Sequence, residues 1–127
     1  MPPRQSPTLT EAELRIMDVL WQRGSGTVQE VLDRLSLKPA LAYNSVLTTI
    51  RILEKKGYVA HHASDGRAHV YEPLIAQQEA RKSEIRHLVS RFFENSHEQL
   101  VLNILEERGI EPEELKRLRR MLERSKE

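Results

Sequence analysis

The sequence contains no cysteine, which excludes disulfides, thiolate zinc sites and thiol catalysis. Aromatic residues make up only 5% of the chain, and no apolar run approaches the roughly 20 residues of a membrane-spanning helix. Neither sign of charge dominates, since 20 lysines and arginines face 19 acidic residues. This balance argues against a wholly basic nucleic-acid coat protein, but it permits local charged patches. We therefore expect a soluble protein of the cytoplasm, without membrane insertion.

The sequence also lacks the patterns of an enzyme. It has no glycine-rich phosphate loop, and no nucleophile stands in a pattern with an oriented base. Glutamates are plentiful, but they fall in the first turns of predicted helices and on solvated faces. We therefore expect no enzymatic activity, no catalytic residues and no cofactor. A length of 127 residues suits one or two small domains.

Two capping boxes mark the first two helices of the chain. Thr10 with Glu13 precedes an apolar stripe at helical spacing, and Thr27 with Glu30 precedes a shorter one. Gly24 stands where a glycine commonly ends a helix. The sequence therefore predicts two helices near the start of the chain, separated by a short turn.

A third helix and a hairpin follow in close succession. A turn over 36–41 leads to an amphipathic helix over 42–56, which Gly57 ends. Two strand patterns, at 58–64 and 67–72, flank an Asp-Gly turn signal. Three helices followed by a hairpin with basic residues are the layout of a winged helix-turn-helix. The usual partner of that fold is duplex DNA.

From residue 74 onward the pattern predicts three more helices. Their large apolar side chains exceed what three short helices can bury among themselves, which is typical of an interface. We predict a mainly α fold with a small β-hairpin, in which a winged-helix DNA-binding domain at 9–73 precedes a three-helix dimerisation domain at 75–124. The predicted dimerisation residues are Ile85, Leu88, Val89, Phe92, Phe93, Leu100, Val101, Ile104, Leu105, Leu115, Leu118, Met121 and Leu122.

On a helical wheel the third helix has two distinct faces. Val46, Ile50 and Leu53 share one arc and are predicted to face the core. The opposite arc carries amide, hydroxyl and guanidinium groups that suit base edges, whereas lysines such as Lys56 suit phosphates. Arg67 at the hairpin tip is predicted to reach the DNA backbone or the minor groove. The predicted DNA contacts are Lys38, Ala42, Tyr43, Asn44, Ser45, Leu47, Thr48, Arg51, Lys55 and Arg67.

A polar helix face is also what any solvated amphipathic helix shows. Two features favour base readout here. Leu47 and Ile52 flank the polar arc, where apolar side chains are seldom left in water, and the helix is third in a tri-helical unit with a basic hairpin. The same two apolar residues, Leu47 and Ile52, are also the features that favour a rival function. In that function the winged helix binds a partner protein and has no sequence-specific affinity for DNA.

The histidines of the hairpin are a second candidate site. With a two-residue turn, His62 is predicted to lie opposite His69, with both side chains on one face. Zinc needs three or four ligands, and the sequence offers no third one nearby. We interpret these histidines as solvated or phosphate-facing, and we predict no metal site.

Several segments together resemble the penicillinase-repressor family of BlaI/MecI type. The resemblance runs from about residue 9 to residue 122, and the order and spacing of its segments make it specific. The matching segments are LTEAE at 9–13, VLW at 19–21, AYNSVLT at 42–48, KKG at 55–57, GRAHVYEP at 66–73 and LVLN at 100–103.

The resemblance implies a homodimeric repressor that binds a palindromic operator and pairs through its C-terminal helices. It also implies a partner, a membrane sensor protease, which in members of this family triggers cleavage after an asparagine followed by an aromatic residue. The matching bond here is Asn103–Ile104, where an aliphatic residue departs from that pattern. We expect a transcriptional repressor that an inducing signal releases from its operator.

Overall fold

A computed structural model of the chain describes residues 8–35, 42–64, 66 and 68–125. Its elements are α1 (Glu11–Arg23), α2 (Val28–Leu35), α3 (Tyr43–Lys56), β1 (Val59–Ala63), β2 (His69–Pro73), α4 (Gln77–Phe92), α5 (His97–Arg108) and α6 (Pro112–Ser125). This mainly helical architecture with a β-hairpin confirms the predicted fold class. Within these ranges, no helix combines the length and the apolarity needed to cross a bilayer.

Both predicted capping boxes at the start of the chain are confirmed. The Thr10 amide donates to Glu13 Oε1 at 2.8 Å, and the Glu13 amide donates to Thr10 Oγ1 at 3.1 Å. Thr27 and Glu30 exchange the same two hydrogen bonds at 2.9 and 3.1 Å. Gly24 ends α1 with φ at 91°, in the region that favours glycine. Local hydrogen bonding therefore sets the ends of the first helices.

The core of the first unit is built by all three N-terminal helices and both strands. The wheel prediction for α3 is confirmed, because Val46, Ile50 and Leu53 are at most 1% exposed. Burying each such side chain contributes about 1.5–3 kcal/mol. The residues that complete the core around α3 are Ile16, Met17, Val19, Leu20, Val28, Val31, Leu35, Tyr58, Val59, Tyr71 and Ala80.

The register of the hairpin corrects one prediction from the sequence. His62 pairs with Val70 rather than with His69, because the connection between the strands is longer than a two-residue turn. The Ser64 amide donates to the Ala68 carbonyl at 3.2 Å, so the connection spans 64–68. A shift of one residue turns a side chain to the other face of a strand. His62 and His69 therefore lie on opposite faces of the hairpin.

A third segment pairs with the hairpin. The Gly26 amide donates to the Tyr71 carbonyl at 2.9 Å, and the Tyr71 amide donates to the Gly26 carbonyl at 2.8 Å. A Cβ at position 26 would lie 3.3 Å from Nε of Arg23, so a larger residue there would displace the end of the Arg23 side chain. This bridge, which the sequence did not reveal, ties the base of the wing to the turn between α1 and α2.

The winged-helix unit extends into α4. The Trp21 indole N–H donates to the Ile75 carbonyl at 2.9 Å, and Glu84 Oε1 accepts the Leu9 amide at 2.7 Å. Ala80 is buried in the same core. The chain divides into two compact units at the boundary 87/88, within α4 and beyond the position where the sequence placed the end of the DNA-binding domain.

The second unit contains the end of α4 with α5 and α6. Ser96 Oγ accepts the Gln99 amide at 3.2 Å and caps α5. Gly109, with φ at 72°, ends α5, and Pro112 opens α6. No side chain of α5 or α6 is fully buried within the chain. These helices therefore lack a closed core of their own.

Candidate nucleic-acid interface

One face of α3 is a continuous polar surface. Asn44, Thr48, Arg51 and Lys55 are spaced by three or four residues, so they lie along one side of the helix, and all four are exposed. The face offers an amide, a hydroxyl, a guanidinium and an ammonium group. These groups can bind base edges and phosphates. Three further predicted contacts are also exposed at the start of the helix, namely Ala42, Tyr43 and Ser45.

The two apolar residues beside this face differ in burial. Leu47 is half-buried and packs against the core of the unit, which corrects the expectation that it stands free in water. Ile52 remains 43% exposed. Of these two residues, only Ile52 is therefore largely exposed.

A groove joins α3 to the wing. Its volume is about 240 Å³. Arg51 and Leu47 line it from α3, and His69 and Tyr71 from β2, while Gln29 and the start of α2 close the far side. No local sequence pattern marks Gln29 or Tyr71 as part of this surface, because only the packing of α2 and the bridge to Gly26 bring them there.

Tyr71 and Arg51 line the same groove. Burial raises the pKa of the Tyr71 hydroxyl, the Glu54 carboxylate raises it further, and Arg51 opposes both. The phenol therefore stays neutral around neutral pH. Arg51 itself is exposed.

Lys56 has a partner inside the chain. Its ammonium lies 2.7 Å from Glu13 Oε1, and the Glu13 side chain is only 5% exposed. Burial opposes ionisation of Glu13, but hydrogen bonds from Lys56 and Thr10 outweigh it and lower the pKa of the carboxyl. The expectation that Lys56 binds a phosphate is therefore wrong. The partner is 43 residues away in sequence, so no local pattern announces it.

Two histidines of the wing are in contact, but they are not the predicted pair. The rings of His61 and His69 have centroids 4.4 Å apart, and His61 Nδ1 lies 2.5 Å from Glu54 Oε2. Over the described residues no group of three or more histidine or acidic side chains could hold a metal ion. Two predicted DNA contacts, Lys38 and Arg67, lie outside the described residues.

Most of the predicted dimerisation residues are exposed or half-buried in the single chain. Val89 differs because it is 2% exposed, so its side chain is unavailable to a partner. This corrects its assignment to the interface, which helical spacing alone suggested. Leu102, which the sequence analysis did not include, is 46% exposed. The predicted residues that are from 39% to 66% exposed are Ile85, Leu88, Phe92, Val101, Ile104, Leu115, Leu118, Met121 and Leu122.

Comparison with known proteins decides the family. The model of the family described as penicillinase repressor matches residues 9–124. The chain belongs to the penicillinase-repressor family. It is 31% identical over 123 residues to the penicillinase repressor of Bacillus licheniformis, a match that covers 97% of this chain and 95% of that protein. The resemblance seen in the sequence is thereby confirmed.

Two solved structures of penicillinase-repressor proteins are similar to this chain. One is the solution structure of the DNA binding domain of the repressor BlaI, with 33% identity and a TM-score of 0.52. The other is the monomeric form of Bacillus licheniformis BlaI in complex with the blaP half-operator, with 33% identity and a TM-score of 0.50. Each match covers 60% of this chain and 92% of the other. The likeness confirms the predicted winged-helix fold.

The Asn103–Ile104 bond, which the sequence analysis offered as an expected cleavage position, lies inside a helix. Asn103 and Ile104 are both in α5, and Asn103 Nδ2 donates to the Gln99 carbonyl at 3.1 Å. Proteases preferentially cut exposed loop tips rather than the interiors of helices. Cleavage at Asn103–Ile104 would therefore require α5 to unwind locally first.

Proposed function

We infer that this chain is a transcriptional repressor that binds duplex DNA through α3 and the wing. Membership of the penicillinase-repressor family and the likeness to the BlaI structure in complex with a half-operator support this function. The observation that carries the proposal is the exposed polar face of α3, which stands beside the groove to the wing.

In this proposal α3 enters the major groove and reads bases. Asn44 suits adenine, Arg51 suits guanine and Thr48 offers a methyl group to thymine. Lys55, in the last turn of the helix, suits a phosphate and sets register without reading sequence.

We propose that the repressor acts as a homodimer on a palindromic operator. The domain at 75–124 would pair two chains through the exposed apolar side chains of its helices. A single small unit makes few phosphate contacts, so two linked units would bind far more tightly than one. Their α3 helices would then reach half-sites roughly one helical turn, or 34–36 Å, apart. As a repressor of chromosomal genes, the protein would act in the cytoplasm.

Electrophoretic mobility shift titrations test the function. The probe is a duplex that contains the promoter of the chain's own gene, and the control is a duplex of the same composition with shuffled sequence. We expect tight binding to the promoter duplex, weak binding to the control and a steep loss of both as salt rises, because counterions are released. Equal affinity for the two duplexes at moderate salt would contradict a sequence-specific repressor.

One observation favours a second function, in which α3 binds a partner protein. Ile52 is 43% exposed beside the polar face, and an apolar side chain there suits a protein surface better than DNA. Replacing Ile52 by Ser separates the two functions. If the chain is a DNA-binding repressor, the variant should keep the affinity of the natural sequence for the promoter duplex. If it is a protein-binding module, neither the variant nor the natural sequence should bind the promoter duplex in preference to the shuffled one.

The release of the repressor from DNA is a further part of the proposal. A membrane sensor protease that triggers cleavage at Asn103–Ile104 is the partner that the family resemblance implies. Because the bond lies within α5, we propose that unwinding of this helix would limit the rate of cleavage. Incubating the chain with the sensor protease and mapping the fragments by mass spectrometry would test this step.

A further inference from the structure

Two histidine rings meet on the face of the wing that continues from the groove. His61 and His69 have ring centroids 4.4 Å apart with an angle of 71° between planes, and both residues are exposed. Tyr71 lies on the same face, 5.4 Å from His61 between ring centroids. His62 is also exposed, but the register of the hairpin turns it to the opposite face. The chain therefore offers a contacting histidine pair and a separate histidine within one hairpin.

The two rings of the pair have different charged neighbours. His61 Nδ1 lies 2.5 Å from Glu54 Oε2, so a positive charge on His61 has an acidic partner within the chain. His69 instead lines the groove with Arg51 and the neutral phenol of Tyr71. In the described parts of the chain, the titratable or charged groups that line the groove with His69 are Arg51 and Tyr43 from α3 and Tyr71 from β2, and the His61 ring contacts the His69 ring while its Nδ1 is paired with Glu54.

We propose that the His61–His69 pair is a phosphate-binding site on the wing that takes up a proton when duplex DNA binds. The inference rests on the proposed DNA-binding function and adds a site to it. Histidine changes its charge between pH 5 and 8. A DNA phosphate beside His69 would place a negative charge next to its ring. An adjacent negative charge favours the charged form of an imidazole.

The shape of the groove fits this ligand. Arg51 and His69 face a space of about 240 Å³, which Gln29 and Tyr43 also line. A phosphodiester is small, and its oxygens accept charge-assisted hydrogen bonds from an imidazolium group. With α3 in the major groove, the wing follows the adjacent sugar-phosphate backbone. The histidine pair would then contact a phosphate without reading a base.

The pH dependence of DNA affinity tests the site. Fluorescence anisotropy would give Kd from pH 6 to pH 8 at constant ionic strength, on the promoter duplex and on the shuffled duplex. Uptake of one proton would tighten binding by up to about tenfold for each unit that the pH falls. Because a phosphate contact is independent of sequence, we expect the same pH slope on both duplexes.

Three substitutions on the wing make the test specific. H69Q should lose most of the pH slope and bind at pH 8 as the natural sequence does. H69K carries a permanent charge, so it should bind at pH 8 as tightly as the natural sequence binds at pH 6. H62Q, on the opposite face, should keep the full slope. Circular dichroism would verify that each variant is folded.

Two results would overturn the histidine site while leaving DNA binding intact. One is an unchanged pH slope in H69Q, and the other is an equal loss of slope in H62Q. A natural sequence that binds neither duplex at any pH would instead contradict the proposed function, and the histidine site would fall with it. A pH slope that depends on His69, together with equal affinity for the two duplexes, would support the histidine site and argue against a sequence-specific repressor.

Discussion

The Glu13 carboxylate and the Lys56 ammonium lie 2.7 Å apart and join the first turn of α1 to the last turn of α3. Glu13 is only 4% exposed, and it also accepts the Thr10 amide within its capping box. One buried carboxylate thus completes a helix cap and fixes the C-terminal end of the proposed reading helix. Because the pair is buried, substitution of either residue should destabilise the fold, since the remaining charge would have no partner.

Lys56→Met should destabilise the chain. It would leave the Glu13 carboxylate buried without its cation, at a cost of about 1–3 kcal/mol in the free energy of unfolding. Lys55→Met is the matched control, because Lys55 is exposed in the same turn and its loss should cost less than about 0.5 kcal/mol. Urea titrations followed by circular dichroism measure both. Equal losses would show that the ion pair contributes nothing measurable.

The same pair predicts a loss of stability in acid. Burial alone would raise the pKa of Glu13, but Lys56 and Thr10 lower it below 4.5, the ordinary value for a glutamate carboxyl. Because the folded state has the lower pKa, the stabilisation is fully present above pH 4.5 and is lost as the pH falls through the folded pKa.

Glu13→Gln isolates this contribution. The variant should be less stable than the natural sequence at pH 7, and the difference should shrink below pH 4.5 as the natural carboxyl becomes protonated. The pKa of Glu30 is also lowered, chiefly by a backbone hydrogen bond at Thr27, but that effect is common to both proteins and cancels. Urea midpoints at several pH values measure the difference. A stability difference between the two proteins that stays constant as the pH is lowered would contradict the role of Glu13 ionisation.

Arg51→Ala and Lys55→Ala should weaken DNA binding in different ways. Loss of a base contact at Arg51 should cost about 1–3 kcal/mol on the promoter duplex and relax preference at one base pair. Loss of a phosphate contact at Lys55 should weaken binding equally on promoter and shuffled duplexes, and should reduce the salt slope by about one. If both variants lose affinity equally on the two duplexes, Arg51 contacts a phosphate and not a base.

Replacing Phe92 and Leu118 by Glu in the same chain should yield monomers. Phe92 is 66% exposed and Leu118 is 45% exposed, and charges at these sites would be buried unpaired in the proposed interface. Leu74→Glu is the control, because Leu74 is 59% exposed but precedes the proposed dimerisation domain. Size-exclusion chromatography with light scattering at micromolar concentration gives the oligomeric state. A double variant that stays dimeric would contradict the proposal that these helices form the dimer interface.

The sequence predicted the features that depend on neighbouring residues. Capping boxes are complete within four residues, so Thr10 and Thr27 revealed the starts of α1 and α2. Gly57 ends α3 with φ at 89°, in the left-handed conformation that glycine adopts at low cost. The buried face of α3 followed from helical period alone. These signals were sufficient for the element order and for the proposed reading face.

Features that depend on distant residues escaped prediction. Lys56 looked like a phosphate ligand because its partner Glu13 belongs to another helix. The hairpin register was wrong by one residue because Asp-Gly can lie within a longer connection as well as in a two-residue turn. Leu47 and Val89 were assigned by spacing, and only their tertiary surroundings determine that one is half-buried and the other buried. Contacts between elements, rather than patterns within them, decided each case.

The bridge between Gly26 and Tyr71 should make the fold tolerant of changes in the loop of the wing. The two hydrogen bonds of the bridge hold β2 at its middle, and the Leu74 amide, which donates to the Tyr58 carbonyl at 2.8 Å, fastens the base of the hairpin. Changes of length or sequence within 64–68 leave all of these bonds in place. Libraries of loop variants could therefore adjust the proposed contact of the wing with the DNA backbone, while the residues that carry the stability of the scaffold stay unchanged.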